Sequence, residues 1–330
     1  MKHRYYHGKH SALFALIAAI LLFAAPSGYG QEPAYPAKPI RVFVPFAPGS
    51  TTDGLTRLLT QTITANSGKT FIVENKAGGF GMIVAREVAH AAPNGYTLLM
   101  ATNGTLAASP YMYKDLGFDP VKNFAMVAII VVGQNILAVH PSVPAATVAQ
   151  LVTLAKQKPA GLFYGSSSVT SLAASELFKK MAGVNITSVP YTKTGDLLAA
   201  IAGGSIQMAV LDQLNGTPMV KAGTVKALAV TGLKRSALVP DLPTLDESGF
   251  KGFAVNSWVG MAAPAGTPAE IKDWLSKEIS AFLARPETTE RLTAFGYDGT
   301  SSTPATASKY LVDELVRWKE LSSIANITPQ

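Results

Sequence analysis

The residues best suited to chemistry lie in a Pro/Gly/hydroxyl loop within residues 40–57, IRVFVPFAPGSTTDGLTR. The apolar run from Ile40 predicts a strand, and the amphipathic pattern after the loop predicts a helix. Such a turn directs backbone N–H groups and hydroxyls at one point under the positive end of the helix dipole, which suits a carboxylate or a phosphate. The candidate ligand-binding residues of this loop are Phe46, Ala47, Gly49, Ser50, Thr51, Thr52 and Asp53. The simpler alternative is that Ser50, Thr51 or Asp53 only caps the helix.

A second hydroxyl-rich loop, residues 165–171, follows a predicted strand that ends near Tyr164 and opens another helix. Its candidate ligand-binding residues are Ser166, Ser167, Ser168 and Thr170. Two such loops, one in each half of the chain, favour a cleft that grips a ligand with acidic groups at both ends. The alternative is a flexible serine-rich linker, which fits less well because Tyr164 and Leu172 hold the loop between a strand and a helix.

Three further candidates follow predicted strands at their carboxyl ends, where open α/β sheets bind ligands. Thr102 and Asn103 come after the strand at 96–100, and Asp212 comes after the strand at 206–211. Asp212 is suited to accept a hydrogen bond from a ligand hydroxyl, an amine or water, and equally to cap a helix from Thr217. Lys193 could add a positive charge for the ligand, although the simpler interpretation is an exposed surface lysine.

The chain is poor in catalytic and metal-binding groups. It has no cysteine, and the only histidines after the first thirty residues are His90 and His140, which we interpret as structural. It contains no G-x-S-x-G, H-E-x-x-H, EF-hand, P-loop or G-x-G-x-x-G pattern. We therefore expect no cofactor and no metal. The alternative function is an exported hydrolase that uses a serine of residues 165–171, although no histidine stands near it in sequence to act as a base.

The elements that must position these residues are strands that alternate with helices. Apolar runs predict strands at 40–46, 71–73, 96–100, 126–132, 136–139, 162–164, 186–190, 206–211, 225–231 and 258–262. Helical patterns fall at 52–66, 81–91, 147–158, 171–182 and 196–202. Strands that are apolar throughout and alternate with helices predict parallel sheets covered on both faces.

The last third of the chain is predicted to form three helices, at residues 269–284, 287–295 and 304–322. Thr267 is the expected N-cap of the first, with Pro268 at its first helical position. Without strands of their own, these helices must pack on an earlier domain. We therefore expect domain 1 to comprise residues 31–135 and 256–330, and domain 2 residues 136–255. Two crossings between the domains make a hinge.

The first thirty residues are predicted to be a secretory signal peptide, with Lys2, Arg4 and Lys9 before an apolar run at 12–25 and small residues at 28–30. That run is shorter than the roughly 20 residues that span a bilayer, which argues against an uncleaved anchor. The leader carries three of the 28 basic residues and none of the 21 acidic ones, so the mature chain has a formal net charge of +4. Its lysines are scattered, so we expect no binding to nucleic acid. The mature protein should be exported, soluble and not embedded in a membrane.

The order and spacing of several segments resemble those of Bug-type periplasmic solute receptors, the substrate-binding components of tripartite tricarboxylate transporters. The resemblance covers about residues 35–324 and rests on YPAKPI at 35–40, VPFAPG at 44–49, VENKAGG at 73–79, APNGYTLL at 92–99, VPY at 189–191, LAVT at 228–231, LPT at 242–244, SW at 257–258 and APAGTP at 263–268. It implies an α/β fold of the two-domain Venus-flytrap kind, type II, in which each domain is a mainly parallel sheet flanked by helices.

The resemblance also implies a function. Such a receptor works in the periplasm without enzymatic activity, closes on a small organic acid and delivers it through a transient contact to a cognate inner-membrane permease; a monomer is expected. In the family, the loop matching residues 46–53 holds one carboxylate and the loop matching residues 166–171 meets the other end of the ligand. Positions matching Thr102, Asn103 and Asp212 line the cleft. The expected ligand is a di- or tricarboxylate or an aromatic acid.

Three departures from the family pattern fall where ligand specificity should reside. The usual Gly-Gly-Ala-Thr-Asp is GSTTD at 49–53, the serine-rich loop is shorter, and Lys193-Thr194 replaces a common Gly-Gly. The ligand therefore cannot be inferred from a relative. A shorter loop is expected to leave room for a bulkier acid, such as an aromatic dicarboxylate.

Overall fold

The computed structural model describes residues 35–191, 193–327 and 329. The predicted signal peptide, residues 1–30, lies outside the described residues. The chain divides after Ala37 into a short N-terminal unit and one compact unit that begins at Lys38. All strands and helices described below belong to the second unit.

Eleven strands form two sheets within the described residues. In chain order they are β1 (Ile40–Val44), β2 (Phe71–Asn75), β3 (Thr97–Thr102), β4 (Phe124–Gly133), β5 (Asn135–Val139), β6 (Phe163–Ser166), β7 (Thr187–Pro190), β8 (Met208–Asp212), β9 (Lys226–Val230), β10 (Ser257–Pro264) and β11 (Tyr297–Gly299). The first sheet has the order β11-β4-β10-β3-β1-β2, and the second has the order β7-β6-β8-β5-β9. Each apolar run that predicted a strand is a strand.

Both sheets are mixed. In the first sheet β1 is parallel to β2 and β3, whereas β10 is antiparallel to β3 and β4, and β11 is antiparallel to β4. In the second sheet β6 is parallel to β7 and β8, whereas β5 is antiparallel to β8 and β9. Most strands of each sheet thus run in one direction, and the chain enters the second sheet through the reversed β5 and returns to the first through the reversed β10. The predicted two-domain α/β fold is confirmed.

Helices cover both sheets. In the described chain the α-helices are α1 (Thr51–Ser67), α2 (Met82–Ala89), α3 (Val148–Gln157), α4 (Val169–Ala182), α5 (Thr194–Ala202), α6 (Gln213–Lys221), α7 (Ala269–Leu283), α8 (Pro286–Ala294) and α9 (Pro304–Ile324), and a π-helical turn, Asn103–Ala108, follows β3. Helices α1, α2, α7, α8 and α9 pack on the first sheet, and α4, α5 and α6 pack on the second. We call the first sheet with its helices the first lobe and the second sheet with its helices the second lobe.

Helix α1 shows how the sequence places the start of a helix beside the carboxyl end of a strand. Leu55, Leu59 and Ile63 repeat at the spacing of one helix face and are fully buried. Ser50 caps the N-terminus, and Gly68 ends the helix in the left-handed region with a φ of +67°. Every helix of the described residues is too short or too polar to span a lipid bilayer.

Two predictions for the last third of the chain are wrong. Thr267 does not cap α7, because its hydroxyl donates to the Pro264 carbonyl at 2.7 Å; Pro268 is the N-cap and the helix begins at Ala269. This region also has a strand of its own, since β11 pairs with β4. That strand has three residues, two of them exposed, so it leaves no apolar run in the sequence.

Candidate functional site

The first candidate loop, residues 46–53, joins β1 to α1 and is braced from within. Ser50 is the N-cap of α1, and its hydroxyl accepts a hydrogen bond from the Asp53 N–H at 3.2 Å. The Ser50 N–H donates to the Ala47 carbonyl at 3.2 Å, which closes the turn. Gly49 has a φ of +82°, a conformation that favours glycine. The capping role considered for Ser50 is therefore present, and the loop has a defined shape.

Asp53 holds this loop in shape. Its side chain is buried, and its carboxylate accepts hydrogen bonds from the Gly49 N–H at 2.9 Å, from Asn75 Nδ2 at 3.0 Å and from Arg57 Nε at 3.0 Å. Asn75 Nδ2 also donates to the Phe46 carbonyl at 3.0 Å, so the same group ties both ends of the turn. These contacts give Asp53 a positioning role.

Replacement of Asp53 by asparagine is expected to destabilise the fold in a pH-dependent way. Burial acts to raise the pKa of Asp53, but the hydrogen bonds from Arg57, Gly49 and Asn75 outweigh it and hold the pKa below its ordinary value of 3.8. A carboxylate with a lowered folded-state pKa stabilises the fold above its unfolded pKa, and that stability is lost as the pH falls through the folded pKa. Asp53→Asn should lower the free energy of unfolding by about 1–3 kcal/mol at neutral pH. The difference from wild type should shrink below about pH 4 in urea unfolding.

Asp313→Asn is the matched control for that measurement. Asp313 is 61% exposed and pairs with Lys309 at 2.7 Å on the surface of α9. Its replacement should change the free energy of unfolding by no more than about 0.5 kcal/mol. Equal losses for the two variants would show that the loop contacts of Asp53 do not stabilise the fold.

The second candidate loop is compact, because Gly165 and Ser166 lie in β6. Ser168 is the N-cap of α4, and its hydroxyl accepts a hydrogen bond from the Ser171 N–H at 3.2 Å. The Ser168 N–H donates back to the Ser171 hydroxyl at 3.3 Å, which completes a capping box. The Ser167 hydroxyl lies 3.4 Å from that of Thr194 at the start of α5. The loop is therefore tied in place and is not a flexible linker.

The turn after β3 reaches this second loop directly. Thr102 caps the π-helical turn by accepting a hydrogen bond from the Thr105 N–H at 3.3 Å. The next residue, Asn103, donates from Nδ2 to Thr170 Oγ1 at 2.7 Å. Asn103 and Thr170 are both buried, at 5% and 6% exposure. Since one residue belongs to the first lobe and the other to the second, the two lobes are in contact in this structure, and we call this arrangement the shut form.

Asp212 ends β8 and caps α6. Its Oδ1 accepts a hydrogen bond from the Asn215 N–H at 3.0 Å, and its Oδ2 accepts one from Asn215 Nδ2 at 2.8 Å. The helix begins at Gln213, so the expected start at Thr217 is wrong, although the capping role is present. Burial raises the pKa of the Tyr297 phenol, and the Asp212 carboxylate raises it further. Asp212 therefore places a negative charge close to Tyr297 in the first lobe.

Three α-helix N-termini and the start of the π-helical turn thus lie at the carboxyl ends of β1, β6, β8 and β3 respectively. Because β1 is a parallel neighbour of β3, and β6 of β8, the two N-termini of each lobe lie side by side. Each cap takes up the third N–H of its helix, whereas the first two N–H groups of a helix have no acceptor inside the helix. Those groups belong to Thr51, Thr52, Asn103, Gly104, Val169, Thr170, Gln213 and Leu214. The arrangement suits an anion held by uncharged donors.

The lobes meet around a cavity of about 30 Å³. It is lined by Thr51, Gly133, Gln134, Asp212, Gln213, Ser257, Phe295, Gly296 and Tyr297. A cavity of this size holds a water molecule and is far smaller than the several hundred Å³ of typical ligand pockets. Thr51 of the first lobe and Asp212 of the second therefore already face each other across a narrow gap.

Sequence reasoning identified two of these lining residues, Thr51 and Asp212, and missed the rest. Gln134 and Ser257 lie where the chain passes between the sheets, and residues 295–297 form a turn that follows α8. Neither feature has a periodic pattern; the only available signal is a glycine between two aromatic residues at Gly296. Lys193 precedes α5 and is exposed, which agrees with its interpretation as an ordinary surface lysine.

Both histidines of the described residues have hydrogen-bond partners outside the serine-rich loop. His90 Nε2 lies 3.2 Å from the Gly117 carbonyl oxygen, and His140 Nδ1 lies 2.7 Å from Ser142 Oγ. In the same part of the chain, no cluster of three or more His, Cys, Asp or Glu side chains could hold a metal ion. The site has the chemistry of a hydrogen-bonding cleft.

A family model, a curated relative and two solved structures show what the chain is similar to. The model of the tripartite tricarboxylate transporter family receptor matches residues 55–327. A UPF0065 protein of Bordetella bronchiseptica is 32% identical over 331 residues, covering 99% of this chain and 98% of that protein. Rpa4515 of R. palustris, solved with adipate, superposes with a TM-score of 0.81 and 34% identity over 90% of this chain and all of that one. The periplasmic binding protein BugD gives a TM-score of 0.77 and 32% identity, with 90% and 100% coverage.

Proposed function

Because the chain belongs to the tripartite tricarboxylate transporter receptor family, we propose that it captures a small carboxylate between its two lobes and releases it unchanged. The resemblance to Bug-type receptors seen in the sequence is confirmed. The observation that carries the proposal is the placement of three capped α-helix N-termini and the capped start of the π-helical turn at the strand ends of the two lobes. Helix N-termini bind carboxylates through backbone N–H groups and need no basic side chain.

Each lobe supplies donors for one end of the ligand. In the first lobe, the loop at 46–53 with Thr102 and Asn103 holds one carboxylate. In the second, Ser166, Ser167, Ser168 and Thr170 hold the opposite end, and Asp212 accepts a hydrogen bond from a ligand hydroxyl, an amine or a bridging water. A dicarboxylate matches this two-ended arrangement, and the adipate in the related Rpa4515 supports that ligand class. An aromatic dicarboxylate is the bulkier member of the class.

The domain boundaries are proposed near the two passages of the chain between the sheets, and the first boundary falls one residue inside β5. Domain 1 comprises residues 31–135 and 256–330, and domain 2 comprises residues 136–255. The chain passes from β4 to β5 through Gln134 and returns between β9 and β10, which supports a hinge at those crossings. Opening and closing about this hinge would admit and release the ligand.

Export and delivery complete the proposal. Residues 1–30 direct the chain to the periplasm, where it acts as a monomer and passes its ligand to a cognate inner-membrane permease in a transient contact. The family description, a transporter receptor, and the description of BugD as a periplasmic binding protein support this placement.

Enzymatic activity is not part of the proposal. The hydroxyls of Ser168 and Ser171 are both engaged in capping α4. Within the described residues, both histidines have other partners. Neither histidine is thus paired with a serine of residues 165–171, as a Ser-His hydrolase would require.

A thermal-shift screen of residues 31–330 tests the proposed function. The panel is adipate, malate, citrate, terephthalate and acetate, with adipamide as an uncharged control. A ligand at 100 times its dissociation constant stabilises the fold by about 2.7 kcal/mol, which raises the melting temperature of a chain this long by roughly 5 °C. We expect such a shift with a dicarboxylate and none with adipamide. Unchanged melting temperatures with every acid would contradict the receptor function.

A further inference from the structure

The turn between α8 and β11, residues 295–297, meets the second lobe where the cleft shuts. Gly296 is buried and has a φ of +80°, which glycine adopts readily and other residues do not. A Cβ on Gly296 would lie 2.6 Å from Gln213 Cβ and 3.0 Å from the Leu214 nitrogen. Its three nearest atoms all belong to the start of α6 in the second lobe. This closing turn therefore leaves no room for a side chain between the lobes.

The closing turn is held to the first lobe on both sides of Gly296. Tyr297 pairs with Gly133 of β4, and a Cβ on Gly133 would lie 2.6 Å from the Tyr297 ring. On the other side, the Phe295 ring lies 3.4 Å from the place of a Cβ on Gly54 in α1. The turn is therefore attached both to the sheet and to the helix that begins at the first candidate loop, and it moves with the first lobe.

The opposing surface of the second lobe is fixed as well. Gln213 is 3% exposed, and its Oε1 accepts a hydrogen bond from the Ser236 hydroxyl at 2.6 Å. Asp212 holds the start of α6 through the Asn215 N–H. The atoms that meet Gly296 are backbone and Cβ atoms, so no flexible side chain can adjust the fit. A packed contact of this kind defines one closing distance.

We propose that Gly296 sets the shut position of the receptor, as a positioning residue that lets the lobes approach until donors from both reach one ligand. The inference rests on the proposed receptor function. Thr51 and Asp212 line the same narrow cavity as Gly296. If closure ended with the lobes farther apart, these two residues would also stay farther apart. Gly296 thereby sets how closely Thr51 and Asp212 approach each other in the shut form.

Gly296→Ala tests the proposal against a matched variant, Gly68→Ala. Both glycines have a left-handed backbone, with φ of +80° and +67°, but a Cβ on Gly68 would have nothing within 4 Å. The two variants therefore carry similar backbone strain and differ in the contact with α6. Gly296→Ala should bind adipate at least tenfold more weakly than wild type by calorimetry, whereas Gly68→Ala should bind as wild type does.

The distance between labels on the two lobes is a second measurement, and a general loss of stability would not change it. The chain has no cysteine, so nitroxide labels can be attached at Gln61→Cys in α1 and Ala199→Cys in α5, both exposed positions. With adipate, wild type and Gly68→Ala should populate a short distance in pulsed dipolar spectroscopy. Gly296→Ala should keep the longer distance at every adipate concentration. A Gly296→Ala protein that reaches the short distance, or binds adipate as tightly as Gly68→Ala, would overturn the proposal.

The remaining outcomes are also decisive. An open form has room for the alanine, so a Gly296→Ala protein that fails to fold while Gly68→Ala folds would contradict a role in closure. Gln213→Gly added to Gly296→Ala removes the nearest overlap and should restore part of the lost affinity; no restoration would count against the contact.

If wild type binds no acid of the panel, the receptor function fails and the inference with it. If wild type binds and Gly296→Ala binds equally well, the inference fails alone.

Discussion

Replacing Thr51 with proline is expected to weaken carboxylate binding by about 10- to 100-fold while the free energy of unfolding changes by no more than about 0.5 kcal/mol. Thr51 is the first residue of α1, where the N–H has no acceptor in the helix and proline fits. Ser50 before it has φ −67° and ψ 158°, the extended backbone that a residue preceding proline requires. The substitution therefore deletes one N–H from the proposed anion site and leaves the helix intact. Calorimetry and urea unfolding measure the two effects.

Two control variants separate the N–H from other effects of this change. Thr51→Ala keeps the N–H and removes the hydroxyl, so it isolates the side-chain contribution. Ala269→Pro makes the same backbone change at the exposed first residue of α7 and should leave binding unaltered. If Thr51→Pro binds the acid as tightly as Thr51→Ala does, the N-terminus of α1 does not hold the carboxylate.

The hydrogen bond between Asn103 and Thr170 is expected to contribute to ligand binding, although it is buried and joins one lobe to the other. Asn103 Nδ2 donates to Thr170 Oγ1 at 2.7 Å between buried side chains, so the bond joins the first lobe to the second and separation of the two residues would break it. Asn103→Ala and Thr170→Val should each lower ligand affinity about tenfold, which corresponds to about 1.4 kcal/mol. The double variant should lose little more than either single variant, because both remove the same bond. A double-mutant cycle should therefore give a coupling of about 1 kcal/mol or more.

Ser302→Ala serves as the control for this cycle. The Ser302 hydroxyl accepts a hydrogen bond from the Ile129 N–H at 2.7 Å within the first lobe, so its loss should lower stability without altering affinity. Additive losses in the Asn103 and Thr170 cycle would show that their bond does not contribute to closure on the ligand.

Much of the fold follows from local patterns in the sequence. The fully buried strand residues, such as Val42 and Val44 in β1, form apolar runs that are visible without any structure. Helix α1 likewise follows from Leu55, Leu59 and Ile63 at helical spacing, after the capping residue Ser50. Burial and capping act over a few residues, so the sequence contains their whole signal. The short strand β11 has no such signal because its stability comes from pairing with β4.

The candidate site could be located from the sequence more readily than its internal roles. Hydroxyl-rich loops at strand ends pointed to residues 46–53 and 166–170, but whether Asp53 binds a ligand or braces its loop depends on Asn75, which another strand supplies. The contact of Gly296 with Gln213 joins elements of different lobes, and no local spacing encodes it. Such roles come from tertiary packing, which periodicity in a single sequence does not report.

Titration of residues 31–330 with the acid that gives the largest thermal shift, followed by recovery of that acid, tests whether the protein is a receptor that binds a carboxylate and releases it unchanged. We expect binding of one acid molecule per chain with a dissociation constant of about 1 μM, corresponding to about −8 kcal/mol. We also expect no binding of the corresponding diamide and recovery of the acid unchanged. Absence of binding by every carboxylate in the panel, or conversion of the bound acid into a product, would contradict it.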